Sequence, residues 1–148
     1  MAGSIKEKKF IYSNKIVWSG EKKGILSSLE KPDLEVATPA EFNGHKGVWS
    51  PEDLLVASVN SCIMTTFLYY AQRNNFDFAG FESQAEGVLE MVEGRLAFSK
   101  ITVRPKILVN AVEDAKKAEK FIILSERSCL ISNSLKTKVE VIADIALK

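Results

Sequence analysis

Hydrophobic and polar residues along the chain follow two different periods, which divide it into strand-like and helical segments. Short β-prone runs separated by glycine or proline predict a small antiparallel meander over about residues 8–38. The next segment is apolar or small on nearly every side, which predicts a long, buried central helix over about 51–73. Its start is indicated by Ser50, Pro51 and Glu52, a capping hydroxyl, a first-turn proline and an acid near the helix N-terminus.

The second half of the chain predicts a hairpin, a second helix and a closing strand. Period-two alternation on both sides of Glu93 and Gly94 indicates the hairpin. Asn110 and Glu113 resemble a capping box, and apolar residues at helical spacing follow them. The predicted bounds are about 77–109 for the hairpin, 111–128 for the second helix and 137–147 for the strand. Together these segments predict one α+β domain over 1–148.

Composition narrows the class of protein. With 46% hydrophobic and 26% charged residues, the chain can form a core, which excludes disorder. We expect a soluble protein without a membrane partner, because polar residues interrupt the most apolar stretch: Ser58, Asn60, Ser61, Thr65 and Thr66. The net charge of +1 argues against a nucleic-acid partner. No apolar segment with a cleavage site follows the charged N-terminal patch, so we expect a cytoplasmic location.

The chain has two cysteines, Cys62 and Cys129, which are the first candidates for chemistry. Structural disulfides are unusual in a reducing compartment, so each is either a small buried hydrophobe or a reactive group. Hydroxyl and amide side chains near Cys62 can hydrogen-bond a thiolate, and Cys129 follows Arg127 near the end of the second helix. Two cysteines and the single His45 are too few for a four-ligand zinc site, so we expect no metal.

Glu52 is the third candidate. It precedes Cys62 by ten residues, which on a straight helix is about 15 Å of rise and beyond hydrogen-bond reach. One interpretation is that Glu52 only stabilises the helix N-terminus. The other is that the helix packs against its copy in a twofold dimer, which would bring Glu52 near the Cys62 of a second copy.

Two motifs give the chain a specific resemblance. Residues 47–55 read GVWSPEDLL, with Cys62 ten positions after Glu52, and residues 126–135 read ERSCLISNSL. In order and separation these segments resemble those of the OsmC/Ohr family, and the preceding TPAEFNG at 38–44 is similar as well. The resemblance implies an intertwined α+β homodimer, in which the sheet of each subunit wraps around central helices and two active sites lie at the interface.

The same resemblance implies a cysteine-based, thiol-dependent hydroperoxide reductase of the antioxidant response. By motif, Cys62 is the peroxidatic thiolate, Cys129 the resolving thiol, and Glu52 a carboxylate that positions an activating cation. The thiolate is oxidised to a sulfenic acid, which condenses with the second thiol, and an external small dithiol reopens the disulfide without any bound cofactor. Apolar side chains suited to organic hydroperoxides are Phe42, Trp49, Phe67, Tyr69 and Tyr70.

The arginines depart from the family pattern. The peroxidase branches use an arginine from the N-terminal strand region, whereas those here all follow the start of the first helix: Arg73, Arg95, Arg104 and Arg127. Lys22 and Lys23 occupy the comparable turn, but an ammonium lacks the planar fork of a guanidinium, and Arg127 is a further candidate. The alternative function is therefore a weakly active or inactive OsmC-like dimer that binds a small ligand.

Overall fold

The computed structural model describes residues 7–148. Contacts between elements divide the chain into two compact units, of which the first ends at Glu52 and the second runs from Asp53 to Lys148. Helices and strands are both present, so the predicted α+β class is confirmed. The prediction of a single domain stays a prediction.

The first unit contains a three-stranded antiparallel sheet in the order β1-β2-β3, which is the predicted meander. Its strands are β1 (Lys15–Gly20), β2 (Lys23–Ser27) and β3 (Leu34–Ala37). The sheet begins at Lys15, later than the predicted start, because residues 7–14 lie outside the strands. A single turn of 3-10 helix, Ala40–Phe42, follows β3.

The long helix α1 (Pro51–Arg73) has the predicted bounds. Its fully buried residues recur every fourth position and therefore form one stripe along the helix: Val59, Ile63, Phe67 and Ala71. Leu68 and Tyr69 are 39% and 53% exposed. Within one chain, full burial is thus confined to that stripe, although the sequence predicts a helix that is apolar or small on nearly every side.

By length and composition alone, α1 is apolar enough to cross a membrane. The expectation that its polar residues exclude it from that class is therefore wrong, because four of these five residues carry hydroxyl groups, which lower the average hydropathy of a helix less than charges do. Core helices of soluble proteins pass the same test, and the buried stripe of α1 packs into a hydrophobic cluster.

The second unit is built on a long hairpin of β4 (Gly80–Val92) and β5 (Arg95–Val109), as predicted. The turn between them has positive φ at both central residues, 49° at Glu93 and 81° at Gly94, which suits the right-handed twist of the two strands. Gly87 of β4 lies under α1: a Cβ there would come within 2.7 Å of Val56 Cγ2. The helix therefore packs closely on the hairpin.

The end of the chain differs from the single closing strand of the prediction. Two short strands, β6 (Lys138–Val141) and β7 (Asp144–Leu147), both pair in parallel with β5 on the edge opposite β4. Between them the amide of Ile142 donates to Val103 O at 2.8 Å. Alternation in sequence indicates strand, but it does not show where pairing with a neighbouring strand is interrupted.

The second long helix, α2 (Ala115–Ser128), starts later than the capping box predicts. A 3-10 turn, Val112–Asp114, comes first, and Asp114 caps α2 without a side-chain hydrogen bond. The predicted pairing of Asn110 with Glu113 is therefore wrong, since the chain enters the helix through a tighter turn. The buried side of α2 completes a core shared with α1 and β5, which includes Phe67, Ile101, Val103, Phe121 and Ile122.

Candidate active site

Cys62 lies in the middle of α1 and is partly exposed. It begins a second stripe of the helix, beside the buried one, in which Thr66 and Tyr70 follow at four-residue intervals. The Sγ of Cys62 and the Oγ1 of Thr66 are 3.9 Å apart. The helix thus presents a thiol, a hydroxyl and a phenol along one line.

Cys129 stands between two helices. The helix α2 ends at Ser128, a single-turn helix α3 (Leu130–Asn133) follows, and Cys129 itself is extended, with φ −61° and ψ 111°. Its thiol is fully buried and accepts a hydrogen bond from the amide of Ser132 at 3.4 Å. Because the amides of a first helical turn have no partner within their helix, this break supplies N–H donors to whatever lies in front of it.

Cys62 lies in front of that break, and the structure brings the two thiols together although 67 residues separate them (129 − 62). The side chain of Cys129 and the backbone amides of Ile131 and Leu130 lie close enough to Cys62 to lower the pKa of its thiol. Both cysteines are free in this structure. The site is therefore a pair of neighbouring thiols, with backbone amides close to Cys62.

The two thiols have opposite pKa shifts. Burial raises the pKa of Cys62, but the hydrogen bonds from Cys129, Ile131, Thr66 and Leu130 outweigh it, so the pKa lies below its usual value. Burial raises the pKa of Cys129, and the nearby Cys62 adds to that increase, which exceeds the opposing hydrogen bonds from Ser132. As the pH rises, Cys62 therefore loses its proton before Cys129 does.

Glu52 is the second residue of α1 and lies at the end of the first unit. Its Oε2 atom is buried and has no hydrogen-bond partner among residues 7–148. A buried carboxylate oxygen without a donor is costly. The helix alone separates Glu52 from Cys62 by about 15 Å.

The candidate cations in the first unit already have partners. Lys22 Nζ donates to the carbonyl oxygens of Asn43 at 2.9 Å and Phe42 at 3.4 Å, and Lys23 Nζ lies 3.8 Å from Glu35 Oε1. In the second unit Arg127 is exposed. The donors that lower the pKa of Cys62 are instead a thiol, a hydroxyl and two peptide amides.

Sequence reasoning misplaced one of the aromatic residues and missed several donors. Phe67 is fully buried in the core, where its ring packs against Phe78 and Phe81, so it cannot line a substrate pocket. The amides of Leu130 and Ile131 were missed because backbone donors leave no trace in side-chain identity. The four-residue spacing from Cys62 to Thr66 and Tyr70 was the available signal for the polar stripe of α1.

Within residues 7–148, no three His, Cys, Asp or Glu side chains are grouped so that they could hold a metal ion. The chemistry that the described side chains offer is that of an unequal dithiol. A thiolate with a lowered pKa is a nucleophile, and a protonated thiol beside it can condense with its oxidised form.

Structural comparison finds the same fold in several solved proteins. An OsmC-like protein of unknown function from Vibrio cholerae superposes with a TM-score of 0.83 at 18% identity, covering 91% of this chain and 99% of that one. An OsmC-like protein from Mycoplasma pneumoniae gives 0.77 at 16% identity, with coverage of 95% and 99%. An organic hydroperoxide resistance protein from Elizabethkingia anophelis gives 0.72 at 18% identity, with coverage of 95% and 100%.

A search of curated protein sequences finds no match. The family model described as OsmC-like protein matches residues 44–144, a region that contains Glu52, Cys62 and Cys129. This match covers more than half of the chain, and the fold agrees with that of an OsmC-like protein over 91% of the chain. The chain therefore belongs to the OsmC-like protein family.

Proposed function

We propose that this protein is a thiol-dependent hydroperoxide reductase in which Cys62 is the peroxidatic cysteine and Cys129 the resolving cysteine. The observation that carries the proposal is the unequal pair of sulfurs, with a lowered pKa at Cys62 and a raised pKa at Cys129. A buried structural cysteine has its pKa raised, as Cys129 does; Cys62 is shifted the other way by donors gathered around it. Two relatives of the same fold are described as organic hydroperoxide resistance proteins.

The proposed reaction has three balanced steps. The Cys62 thiolate attacks one oxygen of a hydroperoxide, the O–O bond breaks, and with one proton the products are Cys62 sulfenic acid and an alcohol. The Cys129 thiol then displaces the sulfenic hydroxyl, which leaves as water, and the S–S bond forms. A dithiol reductant finally gives two electrons and two protons through exchange, which restores both thiols and converts the reductant to its disulfide.

Activation of Cys62 rests on hydrogen bonds in place of the expected arginine. Cys129 is the extended residue between α2 and α3, and the amides of Leu130 and Ile131 that follow it lie near the thiolate. The Cys129 thiol adds a third donor. Such donors stabilise an anion in a partly buried site without the desolvation cost of an added cation. These hydrogen bonds offset only part of the negative charge on the sulfur, so the thiolate remains nucleophilic.

We infer that two copies of the chain form the homodimer implied by the family. The apolar face of α1 that carries Leu68 and Tyr69 is exposed in one chain. A second copy can cover this face, since a twofold interface presents each surface to its equivalent. The apolar composition of α1 then reflects burial between subunits.

The mass in solution tests the dimer. Sedimentation equilibrium of the reduced protein should give twice the 16.4 kDa chain mass at micromolar concentration. Leu68→Glu should shift the equilibrium toward the monomer, because a carboxylate would be buried in an apolar interface. The control Lys116→Glu changes a charge on exposed α2 and should leave the mass unchanged. A monomer at all concentrations would contradict the inference.

Reaction with hydroperoxides tests the proposed activity. Reduced protein mixed with an organic hydroperoxide should lose two thiols for each peroxide consumed, and a dithiol should restore them. Stopped-flow measurement should show a rate constant that increases as the pH is raised through the lowered pKa of Cys62, because only the thiolate attacks the peroxide. Unchanged thiols at micromolar oxidant would exclude the activity and favour the alternative of a ligand-binding dimer.

We propose one protein partner and two small-molecule partners. They are a second copy of the chain, an organic hydroperoxide and a dithiol, with a cytoplasmic location in which thiols are kept reduced. A role in the response to oxidative stress follows from this chemistry, since an alcohol is far less oxidising than the hydroperoxide from which it is formed.

A further inference from the structure

A short hydrogen bond joins α1 to the segment that carries Cys129. The hydroxyl of Tyr70 and the hydroxyl of Ser128 are 2.7 Å apart, although 58 residues separate them. Both groups are partly buried, which protects the bond from competition with water. Ser128 is the last residue of α2, so this bond holds the end of that helix against α1.

The hydrogen bond joins the same two segments that carry the two thiols. Tyr70 follows Cys62 and Thr66 on the polar stripe of α1, and Ser128 immediately precedes Cys129. Consecutive Cα atoms are about 3.8 Å apart, so fixing Ser128 nearly fixes the position of the next residue. The extended backbone of Cys129, between two helices, is the place where the chain could otherwise rotate.

The position of Cys129 needs such support because disulfide geometry is narrow. The S–S bond is about 2.05 Å long and its dihedral angle lies near 90°, so small displacements of one cysteine slow or prevent closure. A sulfenic acid that waits for its partner is exposed to a second peroxide and to irreversible oxidation. Burial of Cys129 limits where its side chain can go, but it does not by itself set the direction of the sulfur toward Cys62.

We propose that Tyr70 is a positioning residue for this dithiol, whose hydroxyl holds Ser128 and thereby places Cys129 against Cys62. The inference rests on the proposed pairing of the two thiols as a redox couple. Tyr70 acts by holding the backbone at 128–129, and it does not need to contact the peroxide. Its consequence is that the phenol controls how readily the disulfide closes.

Equilibration with glutathione measures this placement without any peroxide. Glutathione disulfide oxidises the two protein thiols, forming the Cys62–Cys129 bond and releasing two glutathione thiols, and the equilibrium constant is the effective concentration of the pair. Tyr70→Phe removes only the hydroxyl and should lower that constant about fivefold, the order expected for one hydrogen bond. Ser128→Ala should lower it equally, and the double variant no further. Ser128→Thr keeps a hydroxyl and should retain the original value.

A matched control and a second readout separate positioning from stability. Tyr12→Phe makes the same chemical change at a residue that is 93% exposed, and should leave the equilibrium constant unchanged. The pH profile of Cys62 alkylation should move to higher pH in Tyr70→Phe and not in Tyr12→Phe, because a displaced Cys129 donates less well to Cys62. A merely structural role for Tyr70 would lower the unfolding midpoint and leave this profile in place.

Each outcome decides the matter. Equal constants for the unmutated protein and Tyr70→Phe, or a constant no larger than that of two unlinked thiols, would overturn the positioning role. Additive effects of Tyr70→Phe and Ser128→Ala would show that they act independently and would overturn it as well. Failure of the proposed activity is distinguishable, since it would appear as inert thiols toward hydroperoxide while the glutathione equilibrium still responded to Tyr70→Phe.

Discussion

Replacing Cys62 by serine should abolish hydroperoxide consumption. A hydroxyl at this position stays protonated at neutral pH and is a poor nucleophile, whereas the lowered pKa of the thiol supplies the anion that breaks the O–O bond. We expect a loss of about 10³-fold or more in the second-order rate constant, measured by stopped-flow loss of an alkyl hydroperoxide. The remaining rate should fall below that of a simple thiol in solution, because Cys129 is buried and its pKa is raised.

Cys129→Ser is the matched comparison, because it makes the same replacement of sulfur by oxygen at the other cysteine. This variant should react once, consume one equivalent of peroxide and stop at a Cys62 sulfenic acid that a cyclic dione probe can trap. Mass spectrometry should find the adduct on Cys62 in this variant and a disulfide in the unmutated protein. Equal rates of reaction with the first equivalent of peroxide in Cys62→Ser and Cys129→Ser would contradict the assignment of unequal roles.

Replacing Phe67 by alanine should cause the largest loss of folding stability. The side chain is fully buried, and its ring centroid lies 5.2 Å from that of Phe78 and 5.3 Å from that of Phe81. Truncating a buried phenylalanine removes apolar contacts and leaves a cavity, which costs about 3 to 5 kcal/mol. Urea denaturation followed by circular dichroism should show this loss in the free energy of unfolding.

Two further variants control this measurement. Phe67→Leu keeps most of the volume and should cost less than alanine at the same site, since the cavity is smaller. Val112→Ala truncates an apolar residue that is 72% exposed and should change the free energy of unfolding by no more than about 0.5 kcal/mol. Similar losses for Phe67→Ala and Val112→Ala would mean that Phe67 is not part of the core.

Secondary structure was predicted best where local chemistry determines it. The helix α1 begins at Pro51 because the proline, the preceding serine and the acids that follow suit an N-terminus wherever the helix packs. The hairpin turn at Glu93 and Gly94 is equally local, since its positive φ angles favour glycine. The start of α2 was wrong because a capping box competes with other ways of entering a helix.

Motif spacing indicated the candidate site residues, and packing decided what surrounds them. The segments around Glu52, Cys62 and Cys129 are recognisable from residue types and separations alone. That Phe67 belongs to the core, while the neighbouring Thr66 contacts the thiol, depends on which side of α1 meets the hairpin and α2. Aromatic residues at similar spacing therefore have different roles that their identities do not reveal.

The sequence by itself determined the α+β class, the bounds of α1 and the cysteines to be considered, because these follow from periodicity, capping chemistry and motif order. Only the tertiary structure decided that Cys62 and Cys129 lie close together, that their pKa values move in opposite directions, and that peptide amides contribute to the lowered pKa of Cys62. The physical reason is that a pKa depends on burial and on donors contributed by distant segments. Backbone amides are present at almost every residue, and only folding selects which of them face a thiolate.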